Sequence, residues 1–308
     1  MVRIGLIGLG GFCANYHLSR LRERGDVEIA AICDPDPARR QAIDAPGFVD
    51  YRPLLELELD CTLVNSPNIF HFEQCRTAIE LGLHVLVDKP LTMTADEASA
   101  LVELSRAKKR ILMTAYTRHF MASAQRVRAD VTDVQAVTAV QRKNDDGRTA
   151  LHGGILHARS VHILDLVPWL LQKPIVAVAA RIDYAPAGHE TRVDARLALK
   201  DGPEAHVLCI SGDGQYQDEI SIYARTQSFR LERERLYAMD RRGRWSLVDN
   251  LPRGGSSTDH FIDAVQGNID PAASPTALDG RDGLQALRVV EAIKEAGRTG
   301  RIIDIPEI

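Results

Sequence analysis

Up to Thr114 the chain alternates short, largely apolar runs with segments of helical period. The runs are Val2–Ile7, Val27–Cys33, Cys61–Asn65, His84–Val87 and Ile111–Thr114. Between them the spacing predicts helices over Phe12–Arg24, Phe70–Leu81 and Ala95–Lys108, with a looser one near Pro53–Leu57. A run apolar at every position fits a strand buried on both faces, and strands alternating with helices are βαβ units around a parallel sheet. Thr94 ahead of Asp96 and Glu97 suits a helix start. Lys108-Lys109-Arg110 suits its end, where cations meet the negative pole of the helix dipole.

After Phe120 the pattern changes. A helix over Ala122–Ala129 leads to a strand over Val134–Gln141 and a polar loop over Arg142–Thr149. Gly153-Gly154 opens a helix over Ile155–Leu171, in which Pro168 is expected to end or kink the hydrogen bonding. Strands and hairpins follow from Ile175 to Val248. Asp201-Gly202 turns Arg192–Leu199 back into Glu204–Ser211, and Arg241-Arg242-Gly243 turns Leu236–Met239 back into Trp245–Val248. Helices over Ser257–Gln266 and Asp279–Ala296 and a short strand over Arg301–Ile305 close the chain. The fold class is therefore α/β. A doubly wound parallel-sheet domain over residues 1–118 precedes a domain over 119–308 built on an open, mainly antiparallel sheet, and the C-terminal helices are expected to pack back on the first domain.

The length of 308 residues allows two cores, since single cores stop growing at roughly 250–300 residues. A net charge of −4 with no basic block gives no electrostatic footprint for nucleic acid. Cys13, Cys33, Cys61, Cys75 and Cys209 are scattered, odd in number and without C-x-x-C spacing, which fits a reducing cytosol and neither a disulfide framework nor a zinc site. The start, Met1 to Gly8, is too short and glycine-broken for a signal peptide, and no apolar stretch reaches the roughly 20 residues of a membrane span. A cytoplasmic protein is expected, with no metal.

The chemistry gathers where predicted strands run out. Gly8-Leu9-Gly10-Gly11-Phe12-Cys13 follows the first strand and opens the first helix. Gly8 suits a tight turn and Gly10 a close approach of backbone to a pyrophosphate, while the helix start offers N–H groups to the anion. The third glycine position is Cys13, followed by Ala14, both small enough for helix–strand packing. Asp34 ends the next run, roughly 20 residues beyond the turn, where a carboxylate accepts from adenosine ribose hydroxyls and repels a 2′-phosphate. That favours NAD, while Arg39 and Arg40 keep NADP open. Ser66, Pro67 and Asn68 follow Asn65, where a nicotinamide ribose would lie, and His71 is placed either to touch the cofactor or to cap a helix.

Asp88-Lys89-Pro90 ends the run Leu83–Val87. Ligands of parallel sheets bind at the carboxyl ends of strands, and Pro90 restricts the backbone of the lysine before it, so Lys89 is an aimed ammonium. Tyr116, Arg118 and His119 follow another strand end and are candidate substrate contacts.

Together these residues resemble the Gfo/Idh/MocA oxidoreductase family over nearly the whole chain. The glycine turn is similar to Gly8–Cys13, the (E/D)KP signature to Asp88-Lys89-Pro90, and the P-N-x-x-H element to Pro67-Asn68-Ile69-Phe70-His71. The G-G-…-H-x-x-D helix is similar to Gly153-Gly154 through His162 and Asp165, and Leu91–Phe120 looks especially like MviM-like members. The resemblance implies a Rossmann domain, a second α/β domain whose open sheet covers the active site and often mediates dimers or tetramers, and NAD(P)-dependent redox chemistry on sugars, cyclitols or related hydroxy compounds. It implies that Lys89 orients the substrate hydroxyl and helps carry the proton, and that His162 is the acid/base, a role suited to a group titrating near neutrality.

One departure bears on the chemistry. The family commonly has aspartate four residues before this histidine, and here that position is Ala158. His157 and Arg159 do not replace the anion. Arg159 instead suggests an anionic group on the substrate, held by a guanidinium fork, with His157 beside it. Asp165 is read as a cap or a local partner. Two rival readings follow: an NAD-binding sensor that has lost catalysis, and a lyase or hydrolase that uses NAD transiently.

Overall fold

The five apolar runs of the first third become β1 (Val2–Ile7), β2 (Val27–Cys33), β4 (Cys61–Val64), β5 (His84–Val87) and β6 (Leu112–Thr114), and the short pair Gly47–Phe48 adds β3. This computed structural model describes residues 1–144, 152–212 and 214–306. The six strands form one parallel sheet in the order β3-β2-β1-β4-β5-β6. Every residue of β4 is buried, as the unbroken apolar run requires of a strand covered on both faces. The helices are α1 (Leu18–Glu23), α2 (Pro37–Gln41), α3 (Tyr51–Leu55), α4 (His71–Glu80) and α5 (Ala95–Lys108). A π-helical turn over Cys13–His17 feeds α1. At α5 the capping box is complete: the Thr94 hydroxyl accepts from the Glu97 N–H, and the Glu97 carboxylate accepts from the Thr94 N–H.

The second sheet has nine strands in the order β14-β13-β12-β11-β7-β10-β9-β8-β15. They are β7 (Val134–Lys143), β8 (Ile175–Tyr184), β9 (Glu190–Leu199), β10 (Glu204–Ser211), β11 (Gln217–Ala224), β12 (Phe229–Glu232), β13 (Arg235–Met239), β14 (Trp245–Leu247) and β15 (Ile303–Asp304). Among the described residues of this sheet only β7 and β10 run parallel; the remaining pairs are antiparallel. The core side of this sheet alternates along the strands, with Val193, Ala195, Leu197 and Leu199 buried on β9. They pack with α6 (Ala122–Asp130), α7 (Val161–Leu171) and the later part of α9 (Arg281–Thr299). A further helix, α8, spans Ser257–Val265.

By internal contacts the chain divides into a unit of residues 1–117 with 256–284 and a unit of 118–255 with 285–308. α8 is therefore part of the first unit and most of α9 part of the second. No helix among the described residues is long and apolar enough to cross a membrane.

One expectation is narrowed and one needs correcting. Pro168 does not end its helix: α7 runs on to Leu171 and closes on Gln172, in the left-handed region at φ 54°. The proline removes one hydrogen bond, but Leu166, Val167, Leu170 and Leu171 are buried on either side of it and hold the segment helical. The loop expected from Arg142 begins later, because Arg142 pairs with Gln217 on one side and Lys143 with Ser211 on the other. Residues 145–149 of that expected loop lie outside the described residues.

Candidate active site

In the first unit the strand order reverses between β1 and β4, and a parallel sheet leaves a ligand crevice outside the carboxyl ends at such a point. Gly8, at φ 86°, turns the chain there, and a Cβ on it would lie 2.6 Å from backbone atoms of Asn65 and Ser66. Gly10 and Gly11 face open space, with no atom within 4 Å of a built Cβ, so side chains there would fill the approach to the helix start. Phe12 is exposed and stacks on Tyr16 with ring centroids 5.2 Å apart. Cys13 is buried, and burial first, with Asp88 adding to it, pushes its thiol up to about 12. It is a packing residue and not a nucleophile.

The Asp34 carboxylate closes the turn from β2. One oxygen accepts from the Leu9 N–H at 2.8 Å and the other from the Asp36 N–H at 2.9 Å. A carboxylate offers about four acceptor positions, so capacity for a sugar hydroxyl remains. Arg39 lies 3.4 Å from the same carboxylate, and Arg40 donates to the Asp34 and Pro35 carbonyls. Open glycines before a helix start and an acceptor at the second strand end fit a dinucleotide.

At the end of β5 the Asp88 N–H bonds the Val64 carbonyl, and its carboxylate accepts from the Lys89 N–H at 2.8 Å. Asn65 links this turn to the glycine turn. With its amide turned to satisfy both neighbours, its NH2 lies 3.3 Å from Asp88 Oδ2 and its oxygen 3.1 Å from the Cys13 N–H. The Lys89-Pro90 peptide is cis. The Ser66 hydroxyl donates to Gln74 at 2.6 Å, Pro67 starts a 3-10 turn, and Asn68 is buried within it. Tyr116, just after β6, is buried.

His71 does not cap α4, which corrects that expectation. It is fully buried, and its ring nitrogens lie 2.8 Å from the Pro90 carbonyl and 2.9 Å from the Ser66 carbonyl. The ring ties the two turns to each other.

The remaining candidates belong to the second unit. His119 is buried, stacked on Trp169 at 4.4 Å, with Nε2 2.8 Å from Asp165 Oδ2. Asp165 is thus a partner across the unit, not the local cap expected. Burial raises its carboxyl, and the His119 charge works against that. The Arg118 fork is engaged by the Asp218 carboxylate, which also accepts from Gln141. His157, Arg159 and His162 follow one another along the helical stretch from Gly154 to Leu171. His157 is buried, with Nδ1 3.0 Å from the Gly153 carbonyl and 3.5 Å from Lys294 Nζ. Lys294 in turn pairs at 3.1 Å with the buried Glu190. Among the described residues no three His, Cys, Asp or Glu gather as a metal-holding group.

Two matches to family descriptions decide the relationship. "Oxidoreductase family, NAD-binding Rossmann fold" matches residues 2–116, and "GFO/IDH/MocA C-terminal domain" matches residues 116–230. The chain belongs to the Gfo/Idh/MocA family. It is 29% identical to the D-glucoside 3-dehydrogenase of Escherichia coli, over 57% of this chain and 55% of that protein. It is 26% identical to D-xylose 1-dehydrogenase (NADP(+)) 2 of Haloferax volcanii, over 98% and 99%. The alignment thus spans about half the length of the first relative and nearly all of the second. The WlbA dehydrogenase of Bordetella pertussis, solved with NADH and UDP-GlcNAcA, superposes with a TM-score of 0.82 at 22% identity, covering 100% of this chain and 99% of that one. That likeness is one of fold.

Gfo/Idh/MocA motifs led to the strand ends but not to Asn65 as the link between them, nor to Glu190 and Lys294. The signal for Glu190 is Gly154, at φ 87°, whose Cβ would overlap a Glu190 carboxylate oxygen. A sequence shows the glycine but not what crowds it.

Proposed function

We propose that this chain is an NAD(H)-dependent oxidoreductase acting on a carbinol or carbonyl carbon of a sugar, cyclitol or related polyhydroxylated molecule. The observation that carries the reading is the Asp88-Lys89-Pro90 turn, joined through Asn65 to the glycine turn at the point where the strand order reverses. A nicotinamide cofactor supplies the hydride acceptor or donor and leaves the proton to the protein. The backbone of Gly8 to Cys13 would hold the pyrophosphate and Asp34 the adenosine ribose, which favours NAD over NADP. Ser66, Pro67, Asn68 and Asp88 would border the nicotinamide ribose.

Lys89 and His162 are the residues that would move the proton at the substrate oxygen, Lys89 by orienting the hydroxyl and His162 by accepting or returning its proton. Arg159 would take an anionic group where the substrate carries one, and Tyr116, His119 and His157 are further candidate substrate contacts. Arg118 would contribute only N–H groups that Asp218 leaves over. A homodimer or homotetramer in the cytoplasm belongs to the same reading.

The test is reduction of NAD⁺ across a sugar and cyclitol panel, followed at the nicotinamide absorbance. Lys89→Met should lower kcat by about a hundredfold or more, the usual scale of a lost proton-transfer group, while NADH still binds. Ala158 favours a second reading, an NAD-binding sensor. If Ala158→Asp and the unaltered chain both bind NADH and turn nothing over, that second reading replaces the first.

A further inference from the structure

A neutral imidazole has one N–H and one lone pair, whereas His71 faces two carbonyl oxygens, Pro90 at 2.8 Å and Ser66 at 2.9 Å. Only the doubly protonated ring donates to both. The neutral ring donates to one and turns a lone pair on the other. The two carbonyls belong to the turns that end β4 and β5, so the proton count on His71 decides whether those turns are tied together.

We propose that His71 is a positioning residue that aims Lys89 through this count. As an imidazolium it clamps the Ser66 and Pro90 carbonyls, and as a neutral ring it releases one of them and loosens the turn that carries Lys89. This deepens the function proposed above and rests on its reading of Lys89 as a proton carrier. The charges facing the ring are those of the neighbouring turn. Burial lowers the ring's proton affinity most; the Pro90 carbonyl, the Asp88 carboxylate and the Ser66 carbonyl raise it, and the Lys89 ammonium lowers it. The proton that leaves His71 goes to solvent, and no other group need change.

The coupling is read without any substrate. Long-range nitrogen–proton spectra of histidine-labelled protein give the His71 protonation state from neutral pH downward through and below the ordinary imidazole range, the direction in which burial moves it. In parallel, amine acylation measured by mass spectrometry gives the reactivity of Lys89 relative to Lys108 and Lys109, at the far end of α5. We expect the Lys89 ratio to change by about threefold, the equivalent of half a pKa unit, at the pH where His71 titrates. In His71→Gln that inflection should vanish while the acylation of Lys108 and Lys109 keeps its pH dependence. A flat ratio through the His71 titration, a His71 that keeps one protonation state throughout, or the same inflection in His71→Gln would each overturn the proposal. Failure of the unaltered chain to bind NADH would sink the functional reading instead, because the labelling needs no cofactor.

Discussion

Gly8 and Asn65 meet so closely that a Cβ on the glycine would lie 2.6 Å from the Asn65 carbonyl carbon and oxygen. The contact joins the ends of the two strands that flank the reversal of strand order. Gly8→Ala therefore has to displace backbone and also hold alanine at φ 86°. Left-handed strain alone costs about 1–3 kcal/mol. We expect a lower Tm and an NADH Kd at least about tenfold higher in a fluorescence titration, equal to about 1.4 kcal/mol. Gly25→Ala, with no atom within 4 Å of its built Cβ, should leave Kd unchanged.

His17 gives the fold an acid weakness. Its ring is buried, Nδ1 lies 2.8 Å from the Thr258 hydroxyl, and burial holds its pKa down at about 4 against an ordinary 6.5. Because the unfolded chain binds the proton more readily, stability is fully present above pH 6.5 and lost as pH falls towards 4. The difference corresponds to about 3 kcal/mol. Urea titrations at neutral and mildly acid pH should show that slope, and His17→Gln should remove most of it.

The His119–Asp165 pair should behave as a unit. His119→Ala strands a carboxylate that is already buried, and such a loss costs about 3–5 kcal/mol. Adding Asp165→Asn should return part of that stability. In a double-mutant cycle by chemical denaturation, simple additivity would show that the two side chains are not coupled.

Asp34 should decide the adenosine end. Asp34→Ser removes the charge that opposes a 2′-phosphate while Arg39 and Arg40 stay close by. We expect the ratio of NADPH to NADH affinity to rise by about tenfold, about 1.4 kcal/mol, with some loss of both because the Leu9 N–H loses its acceptor. Paired titrations of the two reduced cofactors measure it.

Local physics made the first sheet legible. β1, β2 and β5 begin and end where the apolar runs do, because a strand covered on both faces is apolar along most of its length, with Arg3, Glu28 and His84 falling only at its less buried start. β3, only Gly47 and Phe48, carries no such signal. The second sheet hid its order, since the parallel pairing of β7 with β10 joins segments far apart in the chain. The candidate site was legible where a residue type has one backbone use, as with Gly8 and Pro90. It was illegible where partners are distant: Asp165 reads as a cap until His119 is folded against it, and Arg118 reads as a ligand fork until Asp218 takes it.

The first unit draws on residues 256–284 as well as 1–117. Within it the Leu112 N–H on β6 bonds the Leu278 carbonyl, and His17 Nδ1 lies 2.8 Å from the Thr258 hydroxyl. During synthesis, therefore, the nucleotide-binding half cannot finish when its sheet leaves the ribosome. It must wait, with its last strand edge and the floor beneath its first helix uncovered, until the other half has been almost entirely translated. A nascent chain stalled before residue 256 should be sensitive to protease at the glycine turn and resistant only once that late segment has emerged.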